Sequence, residues 1–354
     1  MSWIAAAIPG HDPAVRLTGL CGRASAPADA PLMPTGTLLW DLDWPGTSAP
    51  PTVLRVGSGT RGEIGLGLAL FSDGTVVIEV DGGTRPISAR LVGPGGDGVV
   101  LRYSWDAPAR RAALSATRPD GSRWTGALLR YPPPLPLANC LETVRAPADG
   151  LRLAALSTRW EPTGPVATLA PETRVHTPGG PVALAALRPG AEVWTSRGEV
   201  ARVRWRDFQW LPAAGSFRPL RVRAPYHGFG RDLVCLGPQP VRVTGSAAEY
   251  LFGAEAVLAR TGDMLDHQMI CPDRGAPVRC FGQILLDRPG LLALADGGAV
   301  HPFDAGSALS DPRLQPLTLL TSLPRELVPA HAGSASELPL LRPYEAASLR
   351  LTAA

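Results

Sequence analysis

The chain has 354 residues, a net charge of +3 and an apolar fraction of 45%. This length predicts two domains, and the apolar fraction is sufficient for two sizeable cores. A charge this small argues against a nucleic-acid partner. All 34 basic residues are Arg, which excludes mechanisms that need a Schiff-base lysine, a lysine base or a P-loop lysine.

The N-terminal stretch "MSWIAAAIPGHDP" has no basic region and only a short apolar run, so it is not typical of a secretory signal peptide. The sequence leaves open whether the protein is cytoplasmic or is exported without a cleavable N-terminal signal. No apolar stretch reaches the ~18 residues of a membrane-spanning helix, and we expect no membrane span.

The first half of the chain alternates with the period of β-strands. Residues 37–44, "TLLWDLDW", place Trp40 and Leu42 on one face and Asp41 and Asp43 on the other. Further strands follow at intervals of roughly ten residues, and turns at residues 72–74 and 119–121 join two pairs of them. This pattern predicts an antiparallel β-sandwich over residues 1–160. Residues 103–122 resemble the concanavalin and laminin-G type of sandwich.

Two motifs in this half are typical of other chemistries. Gly57, Gly59 and Gly62 spell G-x-G-x-x-G, but a strand pattern follows them where a dinucleotide site needs a helix. We therefore predict no cofactor. Glu79 and Asp81 lie on one face of a predicted strand, as in some jelly-roll glycosidases, but Gly83 ends the row. We interpret these two carboxylates, and Asp41 with Asp43, as solvated strand faces; glycan binding or hydrolysis by the sandwich stays the alternative.

The five cysteines are few, scattered and odd in number, which is not typical of a disulfide framework. Cys271 and Cys280 could face each other across a hairpin; two buried reduced thiols are the favoured interpretation, and a disulfide between them stays open. The chain has no C-x-x-C and no zinc-type spacing with its six histidines, so we predict no metal site.

A change in pattern marks the domain boundary. Prolines in "RYPPPLPLANC", residues 130–140, end the sandwich sheet because proline removes a ladder donor. One more apolar strand follows, and residues 161–171, "EPTGPVATLAP", have the composition of a linker. The second half then continues as short strands and Pro-Gly turns.

Five segments of the second half, in this order, resemble a Hint domain, the fold shared by Hedgehog autoprocessing domains and inteins. They are "TRVHTPGG" (173–180), "LRPGAEVWT" (187–195), "RDLVCLGPQPVRV" (231–243), "EYLFGAEAVL" (249–258) and "QILLDRPGLLALADG" (283–297). The likeness is closer to bacterial Hint-type proteins in which a sandwich-like region precedes the Hint module. It implies an all-β Hint-type domain over residues 161–312, with residues 313–354 as a C-terminal extension that packs on it.

The resemblance also implies a reaction. A Hint domain begins with Cys or Ser, whose side chain attacks the preceding carbonyl, and a histidine protonates the departing nitrogen. Here Thr168 stands at the nucleophile position, Gly237 and Pro240 stand where the family has Ser and His, and Pro289 replaces a frequent His. We therefore expect no catalytic residues: these four positions are vestigial.

The remaining candidates have ordinary interpretations. We interpret Cys235 as a buried core thiol, His227 as a solvated loop residue, and His267 and His301 as isolated; His176 is a weak candidate for the missing proton donor. The sequence thus predicts a degenerate Hint-domain protein with a structural or binding role toward an unknown protein or glycan partner. The alternative is self-cleavage between Ala167 and Thr168, so whether the protein is an enzyme stays undecided.

Overall fold

The protein is described here by a computed structural model. The structure describes residues 2–8, 15–16, 31–44, 52–56, 64–81, 87–93, 96–146, 148–303, 305, 309, 311–323, 325–328 and 336–349. Gly57, Gly59, Gly62 and Cys21 lie outside these residues. The chain divides into two compact units. The first contains residues 1–165, 214–216 and 311–319, and the second contains residues 166–213, 217–310 and 320–354.

The first unit consists of antiparallel strands in two larger sheets. Its strands are β1 (Trp3–Ala7), β2 (Val15–Arg16), β3 (Leu32–Met33), β4 (Thr35–Asp43), β5 (Thr52–Val56), β6 (Gly65–Leu70), β7 (Thr75–Asp81), β8 (Ile87–Val92), β9 (Gly98–Asp106), β10 (Arg111–Thr117), β11 (Trp124–Arg130), β12 (Leu135–Pro136) and β13 (Leu151–Ser157). One sheet has the order β11-β10-β9-β4-β13-β1-β2, the other the order β5-β6-β7-β8, and β12 pairs with β3.

A single apolar core joins the two sheets of this unit. Leu38, Trp40 and Leu101 from the seven-stranded sheet and Leu68 and Ile78 from the four-stranded sheet belong to one buried cluster. The mainly β fold and the predicted sandwich are therefore confirmed, as is the turn between β6 and β7, where Gly74 has a φ of +90°. The sequence prediction missed a helix, α1 (Leu137–Arg145), directly after the prolines.

The interpretation of Asp41 as a solvated residue is wrong. Asp41 is fully buried, because β4 is covered on both faces and not on one. Its carboxylate accepts hydrogen bonds from the backbone N–H of Ser216 at 2.6 Å and from the Ser216 hydroxyl at 3.0 Å. Removal from water raises the pKa of Asp41, and the Ser216 bonds oppose this rise. Asp43, at the end of the same strand, is exposed as predicted.

The second unit is also built from short antiparallel strands. They are β14 (Arg174–Thr177), β15 (Gly180–Ala183), β16 (Glu192–Trp194), β17 (Val200–Pro212), β18 (Pro219–Val222), β19 (Leu233–Leu236), β20 (Pro240–Thr244), β21 (Ala256–Arg260), β22 (Ile270–Pro272), β23 (Val278–Leu286), β24 (Leu292–Ala293) and β25 (Ala299–Val300). Its sheets have the orders β14-β15, β16-β17-β23, β19-β18-β22 and β21-β20-β25-β24. The helices are α2 (Ser246–Phe252) and α3 (Pro343–Ser348).

Short 3-10 helices lie at Leu184–Ala186, Gly215–Phe217, Tyr226–Gly228, Gln315–Leu317, Leu319–Ser322 and Arg325–Leu327. The domain boundaries at residues 160 and 312, and the packing of the extension on the Hint-type module, stay predictions. No helix in the described part of the chain is long and apolar enough to cross a membrane.

The two neighbouring cysteines do not share a hairpin. Cys271 lies on β22, which pairs with β18, and Cys280 lies on β23, which pairs with β17. Both thiols are free, as the favoured interpretation expected, but each is half-buried and not buried.

Candidate functional site

The backbone at Thr168 is held between two strands of the second unit. On one side, the amide of Leu236 in β19 donates to the carbonyl of Thr168 at 2.8 Å. On the other side, Leu169 and Gly282 in β23 exchange two backbone hydrogen bonds, at 3.1 and 2.7 Å. Thr168 is only 4% exposed. Thr168 therefore lies in the interior, and hydrogen bonds to two strands fix the backbone around it.

The Thr168 hydroxyl belongs to a buried network of side-chain amides. Oγ1 donates to Oε1 of Gln239 at 2.5 Å and accepts from Nε2 of Gln283 at 2.6 Å. Nε2 of Gln239 donates to the backbone carbonyls of Pro240 at 2.8 Å and His301 at 2.9 Å. Both hydrogen-bonding functions of the hydroxyl are thus used, and its partners are amides that do not titrate.

Gln239 and Gln283 are the site residues that sequence reasoning missed. Both are buried, and together they hold the side chain at the position of the expected nucleophile. Gln283 did carry a signal, because it is the only polar residue in the apolar run "FGQILL" of residues 281–286. A polar side chain inside a buried strand needs a hydrogen-bonding partner. Gln239 had no such signal, since it lies in a polar turn between two prolines.

Three of the four predicted positions lie around this network, and one does not. Pro240 begins β20 and is linked to Thr168 through Gln239. Gly237 follows Leu236, and its carbonyl accepts from the amide of Gly262 at 2.9 Å. Pro289 instead lies on an exposed bend after β23.

Asp207 is the acidic side chain that the strand register places beside this site. On β17 it is paired directly with Gln283 of β23, so the two side chains share one face of the sheet. Asp207 is half-buried, and Oδ1 accepts from the amide of Phe208 at 2.7 Å. Desolvation raises the pKa of its carboxyl, although the Phe208 bond and Arg206 oppose the rise.

Cys235 does not replace the missing nucleophile. The thiol is fully buried and donates to the hydroxyl of Thr261 at 3.5 Å. Burial raises the pKa of Cys235 to about 12, so it stays protonated at neutral pH and is a poor nucleophile.

Two histidines, His227 and His301, have surroundings that differ from the sequence-based interpretation. Nε2 of His227 is buried, so the interpretation of a solvated loop side chain is wrong. His301 is not isolated, because its backbone carbonyl accepts from Gln239 and its Nδ1 lies 2.6 Å from the carbonyl of Pro302. His267 is exposed, and His176 is exposed beside Trp194.

In the first unit, Glu79 and Asp81 point to solvent from β7 as predicted. Their cross-strand neighbours on β6 are Gly67 and Gly65, and Glu79 also lies opposite Ser88 on β8. No second carboxylate therefore faces either of them from the paired strands. Across the described residues, no group of three His, Cys, Asp or Glu side chains could hold a metal ion.

Comparison with known proteins gives one family. The model of the Hint domain matches residues 167–303. No curated protein sequence matches the chain.

Three solved structures are similar to parts of the chain at low identity and low TM-score. The MchDnaB-1 intein is 14% identical with a TM-score of 0.27, covering 38% of this chain and 98% of the intein. The Ruminococcus gnavus IT-sialidase CBM40, bound to α2,3-sialyllactose, is 15% identical with a TM-score of 0.25, covering 36% and 76%. The binding domain of botulinum neurotoxin serotype D is 8% identical with a TM-score of 0.29, covering 87% and 95%.

Proposed function

Since residues 167–303 form a Hint domain, we propose that this domain has kept its fold without the self-cleavage reaction and serves a structural or binding role. One observation carries the proposal: the Thr168 hydroxyl is enclosed by Gln239 and Gln283. The partner would be a protein or a glycan.

The chemistry of acyl transfer supports this conclusion. Attack on the carbonyl of Ala167 requires that a base remove the hydroxyl proton and that an acid protonate the leaving nitrogen. The hydroxyl points its proton at the amide oxygen of Gln239, which is not a base at neutral pH. At the family's histidine position, Pro240 has no titratable group. General acid-base catalysis is typically worth ~10²–10⁴-fold, so the loss of both functions leaves the bond intact on any useful timescale.

The network also supports a structural function for Thr168. A buried amide that loses its hydrogen-bonding partner destabilises a fold by ~1–3 kcal/mol, and here one hydroxyl bonds to Oε1 of Gln239 and to Nε2 of Gln283. The same hydroxyl that would attack in an active domain therefore stabilises this one.

The alternative is self-cleavage between Ala167 and Thr168, and Asp207 is the observation that favours it. Its carboxyl lies on the same face as Gln283 and has a raised pKa. A half-buried carboxylate of this kind is a reasonable general base. The alternative needs Asp207 to act on the Thr168 hydroxyl, which the Gln239 bond opposes.

The test is the intact mass of the protein purified from its own cell and then incubated with hydroxylamine, which cleaves an ester formed at Thr168. We expect the full-length mass before and after incubation. Two fragments, one ending at residue 167 and the other beginning at residue 168, would overturn the proposal, provided that Thr168→Val abolishes the cleavage. Thr173→Val is the matched control, because Thr173 is also a buried threonine of the same unit but does not follow Ala167. Weaker cleavage in Asp207→Asn would assign the base.

A further inference from the structure

A second site lies in a cleft of the second unit that the reaction chemistry does not use. Its volume is about 410 Å³, within the range of ~300–1,000 Å³ found for small-molecule sites. Polar and aromatic side chains from separate segments converge on it. The side chains that carry the argument are His176, Trp194, Thr195, Ser196, His227 and Arg242.

Arg242 supplies a positive charge without a protein counter-ion. It lies on β20 and is half-buried. Within the part of the chain that the structure describes, no carboxylate forms an ion pair with it, whereas 13 other Arg-carboxylate pairs are within 4.0 Å. A guanidinium that is partly removed from water and has no carboxylate partner can bind an anion through charge-assisted hydrogen bonds.

His227 lines the same cleft and has one unused ring nitrogen. Nε2 is buried and has no hydrogen-bonding partner among the described residues. The residue has a φ of +54°, which is uncommon for a side chain other than glycine. Burial lowers the pKa of the imidazole, and the nearby Asp266 opposes this shift, so the ring is neutral at physiological pH. A neutral imidazole is suited to a hydroxyl group, because one ring nitrogen donates and the other accepts.

Trp194 gives the cleft an aromatic wall. The centroids of the His176 and Trp194 rings lie 6.3 Å apart, and the two ring planes are at an angle of 46°. Trp194 is half-buried. Thr195 and Ser196 follow directly in the chain and line the same space. An aromatic surface beside hydroxyls suits a ligand with one apolar face and several hydroxyl groups.

We propose that this cleft binds a compact polyhydroxylated carboxylate, an acidic monosaccharide such as a uronic acid. Arg242 would bind the carboxylate, Trp194 would cover the apolar face of the sugar ring, and His227 and Ser196 would bind hydroxyl groups. Arg242 is the one permanent cation in the lining, and Asp266 is the acid whose charge acts on His227. One fixed positive charge matches a carboxylate better than a doubly charged phosphate. The assignment deepens the binding role proposed above but does not depend on the fate of the Ala167–Thr168 bond.

Isothermal titration of the full-length chain with D-glucuronate, D-galacturonate, D-glucose and inorganic phosphate tests the proposal. We expect at least one uronate to bind saturably, and glucose and phosphate to bind about tenfold more weakly or not at all. Absence of saturable binding by both uronates, or equal or tighter binding of glucose or phosphate, overturns the proposal. Cleavage at residue 168 is read from the mass of the same sample, so failure of either proposal is seen separately.

Two variants locate the binding. Arg242→Gln should weaken uronate binding by about tenfold or more, because a charge-assisted hydrogen bond is lost. Arg204→Gln is the matched control, since Arg204 is an exposed arginine on β17 outside the cleft, and should leave the affinity unchanged. His227→Asn removes the imidazole while asparagine tolerates the left-handed backbone, and should weaken binding severalfold. Unchanged affinity in Arg242→Gln, with thermal unfolding like that of the control, overturns the assignment.

Discussion

At the residue scale, the chemistry of two buried polar side chains depends on their partners. Thr168 has the hydroxyl of a nucleophile, but two glutamine amides use it as a structural hydrogen-bonding group. Asp41 has a carboxylate, a group that is usually found at the surface, but it is buried, and Ser216 is its hydrogen-bonding partner among the described residues. In each case the surroundings, and not the residue type, decide what the group does.

The burial of Asp41 makes the stability of the first unit depend on pH. Because desolvation places the folded pKa above the unfolded value, the folded state holds this proton more tightly. The stability that the protonated carboxyl contributes is fully present below the unfolded pKa, ~3.9, and is lost as pH rises through the folded pKa. In Asp41→Asn the amide oxygen can still accept from the Ser216 amide, and the group cannot ionise.

We therefore expect Asp41→Asn to gain thermal stability relative to the wild type as pH rises from about 4 to 7. The measurement is the difference in melting temperature between variant and wild type at each pH. Asp43→Asn, at the exposed end of the same strand, is the control and should show little change. A difference for Asp41→Asn that shrinks with rising pH would contradict the sign of this effect.

At the element scale, close packing between β4 and β9 fixes one glycine. Gly36 is paired with Trp105, and a Cβ placed on Gly36 would lie 2.5 Å from two atoms of the Trp105 ring. The ring cannot move aside easily, because Nε1 donates to the carbonyl of Met33 at 3.0 Å and the ring stacks on Tyr103. The side chain of any other residue must therefore displace this part of the core.

We expect Gly36→Ala to destabilise the first unit by ~1–3 kcal/mol, the usual range for overpacking. Hydrogen exchange followed by mass spectrometry should show faster exchange in the peptides of β4 and β9. Gly67→Ala is the control, since Gly67 lies on β6 of the same unit and has no atom within 4 Å of the added Cβ. Equal hydrogen exchange in Gly36→Ala and Gly67→Ala would show that the Trp105 ring moves to accommodate the added methyl group.

Sequence patterns predicted the strands and turns that depend only on residues close to them in the chain. The β6 and β7 strands follow from their alternation and from the Ser72-Asp73-Gly74 turn, since turn chemistry fixes a hairpin without help from distant residues. The same reasoning failed for Asp41, because alternation assigns a face but does not tell whether that face is covered. α1 was missed because its prolines were interpreted as the end of a sheet, whereas they precede the helix and do not interrupt it.

The candidate site could be predicted only in part for the same reason. The resemblance to a Hint domain identified Thr168 and Pro240 by their position in the sequence. Gln283 is 115 residues from Thr168, so their hydrogen bond is a product of the tertiary fold. Pro289 stands at a sequence position where the family often has a histidine, but it lies on an exposed bend. Order along the chain therefore located the site, but it did not identify which side chains meet there.

At the scale of the whole molecule, the first unit is not one continuous stretch of sequence. Residues 311–319 follow the residues that match the Hint-domain model, yet they belong to the first unit. The amide of Thr163 donates to the carbonyl of Leu317 at 2.7 Å, and the Thr163 hydroxyl donates to the same oxygen at 3.2 Å. Leu317 is 5% exposed. A fragment that ends at residue 165 would therefore lack a buried segment and leave Thr163 without these bonds.

We predict that a chimeric chain of residues 1–165, joined to residues 311–319 by a flexible Gly-Ser linker, melts at a higher temperature than a chain with the same nine residues in scrambled order. The native order restores the Thr163 bonds and buries Leu317, whereas the scrambled order keeps only the composition and the linker entropy. Circular dichroism during heating gives the two melting temperatures. Equal values would mean that residues 311–319 add nothing to the stability of residues 1–165. A higher value for the native order would mean that the sandwich gains stability from a segment that is synthesised after residues 167–303.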